Sequence, residues 1–229
     1  MTGFNGFPKE LVAFYRDLVR NNNKEWFEAR KADYKQYVIA PAQNFVLAMG
    51  ERLRTISPGV VADTRINGAG SIFRIYRDTR FSPHKSPYKT FLGVLLWEGD
   101  RKKTENSGYY FHLEPDKLML GVGIYMFTKP LLKTYRNAVI HPDYGMTLLE
   151  AVESVTATGK YQVGGKHYKR VPRGYDANHK NVEFLMYNGL HAMIESEIPD
   201  ELYTEALLDY CFERFQDMYP LHRWLLTTL

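Results

Sequence analysis

Apolar positions recur at helical spacing from the start of the chain. After Phe7-Pro8, a pair suited to a first helical turn, Leu11, Phe14, Tyr15 and Leu18 fall on one face and predict a helix that ends at Asn21-Asn22-Asn23. Asn22 followed by Glu25 fits an N-cap with a reciprocal acid, so a second helix is expected over 24–39, with Trp26, Phe27, Arg30, Tyr34 and Val38 along one side. Pro41 starts or kinks a third helical stretch through Phe45, Met49 and Leu53, ending near 56–58.

The period then changes from helical to alternating. Residues 72–77, 90–97, 109–114 and 118–127 are rich in β-branched and aromatic side chains and are separated by Pro, Gly or charged turns, which predicts strands. Short connections between consecutive strands imply an antiparallel meander. The charged loop 98–107 is expected to be a solvated, mobile hairpin tip. Helical patterning returns at 130–140 and 142–156, and the Gly-rich, basic stretch YQVGGKHYKRVPRGYD reads as a loop or short edge hairpin. Further helices are expected at 178–190, 201–217 and 221–226. The fold class that follows is α+β: an antiparallel β-meander sheet flanked by N-terminal and C-terminal helices, as a single domain over 1–229. Its parts are helical (8–57), β-rich (65–127) and helical with a basic loop (130–229), with no internal repeat or linker.

Composition adds little to this except in its aromatic share, 14%, with 17 Tyr and 13 Phe; Tyr joins a packing surface to a hydroxyl and so suits polar crevices as well as cores. The net charge of +4 hides an uneven distribution. Residues 65–89 carry six Lys or Arg and one acid, whereas 195–217 carry eight acids and one Arg. With Cys211 as the single cysteine, an intramolecular disulfide is impossible and a cysteine-based zinc site is excluded. The N-terminus lacks a basic segment followed by an apolar run, and no window approaches the roughly 18 apolar residues that span a bilayer. A cytoplasmic protein without a membrane partner is expected.

The densest chemistry lies in FRIYRDTRFSPHKSPYKTFLG, residues 73–93, where Arg74, Arg77, Arg80, Lys85 and Lys89 alternate with aromatic residues and are offset only by Asp78. This stretch, with NNNKEWFEARKADY, GYYFHLEP, GVGIYM and KRVPRGYD, resembles the bacterial and fungal family labelled domain of unknown function 2461. The motifs span most of the chain in one order. The resemblance implies no activity, cofactor or catalytic residues to carry over, so function has to be read from the residues.

Arg77 and Arg80 flank the turn-forming pair Asp78-Thr79, and Lys85 and Lys89 follow a Pro-braced loop, so four cations can converge on a phosphate or carboxylate. Equally, one Arg can pair with Asp78 or Glu114 while the others face solvent. Strand alternation places Arg74 and Tyr76 on one face, and Tyr110, His112 and Glu114 together on another. His112 with Glu114 can act as a general acid or base oriented by a carboxylate, or can be a satisfied structural histidine. Gly121 and Gly123 leave either a hollow beside that row or simply room for a close neighbour. His84, His112 and His167 lack any metal-ligand spacing, and neither phosphate-loop, dinucleotide nor nucleophile-elbow signatures occur, so no metal or cofactor is expected. Cys211 reads as core. The second basic cluster, Lys166, His167, Lys169, Arg170 and Arg173 with Tyr168 and Tyr175, describes a single-strand nucleic-acid platform as well as it describes a small-anion site, and it reads as solvated loop charge unless it is continuous in space with the first.

The leading expectation is therefore a small anionic ligand held by Arg74, Tyr76, Arg77, Arg80, Lys85 and Lys89, with Tyr110, Gly121 and Gly123 nearby and His112 and Glu114 as candidate catalytic groups. Two alternatives stand beside it. One is single-stranded nucleic-acid binding through both basic clusters, and the other is a protein-interaction subunit docking through its acidic helix, 201–217.

Overall fold

The first helix, α1 (Lys9–Arg20), buries Leu11, Val12, Phe14, Tyr15 and Leu18, the stripe its spacing predicts, and Pro8 precedes it in an extended conformation. The computed structural model describes residues 3–80, 83 and 85–229. Asn23, rather than Asn22, caps α2 (Lys24–Ala29), its side chain accepting a hydrogen bond from the Trp26 N–H. The long helix expected over 24–39 is broken at Arg30. It resumes as the single turn α3 (Lys31–Asp33), widens into a π-helical segment, Tyr34–Ile39, and continues as α4 (Ala40–Leu53) with Pro41 in its first turn.

The sheet has six strands, β1 (Val60–Val61), β2 (Leu92–Glu98), β3 (Gly108–Leu113), β4 (Lys117–Ile124), β5 (Gln162–Lys166) and β6 (Tyr187–Glu197), in the order β1-β2-β3-β4-β6-β5. It is antiparallel, and consecutive strands are neighbours from β1 to β4, as a meander requires. With helices before and after it, the chain is an α+β domain. Residues 72–77, expected to form a strand, are instead joined to the chain among the described residues by isolated bridges, Ile72 to Val94 and Tyr76 to Tyr88. The β4–β6 neighbourhood departs further from expectation. The helix expected over 178–190 is a 3-10 turn, Val182–Met186, followed by β6, whose Leu190 and Ala192 are buried.

The helices α5 (Lys129–Ile140) and α6 (Pro142–Thr156) lie where periodicity places them. The two C-terminal helices are instead one, α7 (Leu207–Thr228), running through Pro220. A proline inside a helix forfeits a backbone hydrogen bond, but Met218, Leu221, Trp224 and Leu225 around it are all buried, so packing holds the helix across the gap. The loop between β2 and β3 is solvated at its tip and anchored at its base. Asn106 and Ser107 are buried, the Asn106 amide donates to the carbonyls of Arg101 and Lys102, and Glu98 N–H donates to the Ser107 carbonyl.

The chain packs as two compact units, one made of Met1–Leu96, Tyr110–Leu120 and Glu195–Glu213, the other of Trp97–Tyr109, Gly121–Ile194 and Arg214–Leu229. The core of the first is aromatic: Phe45 lies 4.8 Å from Phe111 and 5.4 Å from Phe4, with Phe7 stacked on Phe111 at 5.7 Å. In the second, Tyr135 stacks on Phe127 and donates from its hydroxyl to the Phe184 carbonyl, and the Asn181 amide bridges the carbonyls of Val139 and Gly145. Among the described residues no helix is long and apolar enough to cross a membrane.

Candidate functional site

The basic stretch is held by a short two-stranded ladder. Arg77 N–H donates to the Pro87 carbonyl and Lys89 N–H to the Ile75 carbonyl. In such a pairing the N–H and C=O of the intervening residue, Tyr88, point to the opposite edge. There the side-chain amide of Asn22 meets both: its Nδ2 donates to the Tyr88 carbonyl at 3.0 Å and its Oδ1 accepts from the Tyr88 N–H at 3.1 Å. Asn22 thus stands in for a missing strand, and the Tyr88 ring stacks on Phe27 at 4.3 Å.

This scaffold distributes the five cations among different surroundings. Arg80 forms a two-point ion pair with Asp78, whose carboxyl is lowered to about 2 by hydrogen bonds from the Arg80 side chain and backbone. Lys85 donates to the Thr79 carbonyl. Arg77 and Lys89 line a hollow of about 530 Å³ together with Asn22, Ser86, Thr90 and Phe91. Lys89 lies over the Phe73 ring, 5.3 Å from its centroid, and donates to the Arg74 carbonyl. Burial, and secondarily the charge of Arg74, lowers the pKa of its ammonium. Arg74 and Tyr76 line a different hollow, apolar and about 330 Å³ in volume. The four cations expected to gather at one point are therefore divided: Arg80 is matched by its own neighbour, Lys85 and Lys89 each donate to a carbonyl, and of the four only Arg77 and Lys89 line the polar hollow. Phe81 and His84 lie outside the described residues.

The Tyr110, His112 and Glu114 row is a closed hydrogen-bonded chain. Tyr110 Oη lies 2.9 Å from His112 Nδ1, and His112 Nε2 lies 2.9 Å from Glu114 Oε1. With Glu114 ionised and the imidazole neutral, the ring donates from Nε2 to the carboxylate and accepts the tyrosine proton at Nδ1. Phe91 stacks on the imidazole at 4.1 Å and also borders the polar hollow. Glu114 is 3.9 Å from Lys117, which is itself paired with Glu195 at 3.1 Å. The arrangement can orient an imidazole and pass a proton between Tyr110 and His112; it equally forms a satisfied polar network on the strand.

Gly121 and Gly123 do not open a hollow. A Cβ at Gly121 would lie 3.2 Å from the Ala192 carbonyl oxygen, and one at Gly123 would lie 2.3 Å from that of Leu190, so both glycines admit the backbone of β6. The imidazole of His191 closes over Gly164 in the same way and lies 5.5 Å from the Tyr125 ring; burial lowers its pKa, partly offset by the Ile124 backbone.

Two constellations were not foreseen. In the second unit, Ser107 Oγ lies 2.8 Å from His222 Nδ1, and His222 Nε2 lies 3.1 Å from Glu98. The residues are those of a nucleophilic triad, but His222 is 0% exposed and Ser107 3%, so the cluster locks the hairpin base to α7 rather than meeting a substrate. In the first unit, the π-helical segment contributes Tyr34, Lys35 and Ile39 to the apolar hollow. Within the second basic cluster Lys166 pairs with Glu183, and Arg136 lies over the Tyr168 ring. Cys211 is buried. Among the described residues no group of three or more His, Cys, Asp or Glu side chains is placed to hold a metal ion.

No curated protein matches the chain in comparison. Residues 10–224 match the model of a family described as conserved hypothetical protein (DUF2461), the same family that the sequence motifs resemble. The match covers nearly the whole chain, which therefore belongs to the DUF2461 family.

Proposed function

We propose that this protein binds a small phosphate- or carboxylate-bearing ligand in the hollow lined by Arg77 and Lys89. The observation that carries the reading is the pairing of these two cations in one hollow of about 530 Å³, with Lys89 partly withdrawn from water and beside a like charge. An ammonium in that position is destabilised until an anion enters, and a guanidinium fork adds bidentate recognition. Asp78 also borders the hollow, but its carboxylate is engaged by Arg80. A cytoplasmic location belongs to the same proposal, on the ground that a single, buried cysteine can form no intramolecular disulfide.

The test is a thermal shift with phosphate or sulfate against chloride at matched ionic strength. At a hundredfold excess over Kd, binding to the native state adds about 2.7 kcal/mol. Wild type should show the excess shift, Arg77→Ala and Lys89→Met should lose it, and Lys85→Met should keep it because Lys85 donates to the Thr79 carbonyl and does not line the hollow. Equal shifts in wild type and the first two variants would overturn the proposal.

A further inference from the structure

The apolar hollow beside the ladder has a different chemistry from its polar neighbour. Rings of Phe27, Tyr34 and Tyr76 wall it, with Phe27 5.4 Å from Tyr34 and 6.2 Å from Tyr76, and Ile66 forms part of its open rim at 50% exposure. Its volume, about 330 Å³, is at the small end of ligand-binding cavities, which begin near roughly 300 Å³. Lys31, Lys35 and Arg74 stand among its lining residues, and among the described residues no acid does. Lys31 is paired with Glu28 at 3.0 Å, whereas Lys35 and Arg74 are in no ion pair among the described residues.

The backbone is adapted to this wall. In an α-helix residues five apart are turned by about 140° from one another. The wider i→i+5 winding of Tyr34–Ile39 brings Tyr34 and Ile39 to the same side, where both line the hollow with Lys35. Short π-helical segments depart from regular α-helical hydrogen bonding and are frequent at functional sites. The hydroxyl of Tyr34 is not the charged group here, since burial pushes its pKa well above the ordinary value.

We infer that this hollow is a second binding site, for a small aromatic monoanion whose ring lies among Phe27, Tyr34 and Tyr76 and whose carboxylate or sulfonate meets Lys35 and Arg74. The site is separate from the one proposed for Arg77 and Lys89, and does not depend on it.

The probe is 8-anilinonaphthalene-1-sulfonate, followed by fluorescence on the intact protein and displaced by 2-naphthoate, by uncharged 2-naphthol and by octanoate. Saturable binding is expected, with 2-naphthoate displacing it at least tenfold better than either control. Lys35→Glu and Ile66→Asp both alter exposed positions, so the fold should survive, and each should weaken the binding of naphthoate about tenfold or more. Arg77→Ala should leave it unchanged while abolishing the phosphate-dependent thermal shift, which keeps the two sites distinguishable. Non-saturable fluorescence, equal affinity in the two rim variants, or equal displacement by 2-naphthol would overturn the inference; equal displacement by octanoate would overturn its aromatic part.

Discussion

Asn22→Ala tests how the ladder that carries Lys89 is held. The substitution removes the hydrogen bonds of 3.0 and 3.1 Å to the backbone of Tyr88, a residue 3% exposed. Two intramolecular hydrogen bonds are worth about 0.5–1.5 kcal/mol each, and unsatisfied buried backbone groups push the loss to the upper end, about 2–3 kcal/mol in total. For a chain of this size each kcal/mol lowers Tm by about 2–4 °C, so a fall of roughly 4–12 °C is expected. Asn23→Ala is the matched control. It removes a single capping bond to the Trp26 N–H at 2.9 Å, worth about 1 kcal/mol.

Asn22→Asp separates the geometry from mere loss of a side chain. The carboxylate still accepts from the Tyr88 N–H but sets a second negative oxygen against the Tyr88 carbonyl, so at neutral pH it should destabilise more than Asn22→Ala. Protonation restores a donor, and part of the loss should return as pH falls through the pKa of the introduced carboxyl. Thermal unfolding gives the magnitudes, and amide hydrogen exchange at Tyr88 reports the bond directly. If Asn22→Ala costs no more than Asn23→Ala and leaves exchange at Tyr88 unchanged, Asn22 is only a flanking polar residue and the account of the ladder fails.

Two other perturbations test separate parts of the structure. Gly123→Ala should cost about 3 kcal/mol or more in chemical denaturation, because its φ of +130° is strained for other residues and its Cβ would meet the Leu190 oxygen at 2.3 Å; Gly159→Ala, at φ +69° with nothing within 4 Å, should cost only about 1 kcal/mol, and equal losses would refute the close approach of β4 to β6. The Asp78 carboxyl should titrate by NMR at about 2, and its midpoint should rise towards the ordinary carboxylate range in Arg80→Ala, though not fully, since the backbone N–H at position 80 still donates. Because the folded pKa is depressed, the stability linked to Asp78 is present above the unfolded value and disappears as pH falls towards 2; a wild-type midpoint near 4 would show that the Arg80 pair does not form in solution.

What the sequence could reveal followed the range of the interactions involved. Strand β2, buried on both faces, was readable from its β-branched and aromatic content between turns; strands β3 and β4 and helices α5 and α6 were readable because alternation or helical spacing along each segment already defines the face it buries. The same local rule aligned Tyr110, His112 and Glu114 on one face, and the two 2.9 Å contacts follow from that alignment. Strand β6 was not readable, since Leu190, Ala192, Met193 and Glu195 favour helix and only the close approach allowed by Gly121 and Gly123, some 70 residues earlier, makes the segment a strand. Asn22 and Asn23 are both competent caps, and what assigns Asn22 elsewhere is Tyr88, 66 residues away. The basic stretch obeys the same division. Counting its charges treats five cations as equivalent, yet Arg80 is neutralised by an acid two residues away, a pairing local enough to be anticipated. Lys89 differs from it through burial against Phe73 and the carbonyl of Arg74, which only the ladder creates. A cation useful for binding is one without an acid partner, so a candidate anion site in such a stretch is found by removing the residues paired with acids first and asking which of the rest share a hollow; among the described residues these are Arg77 and Lys89.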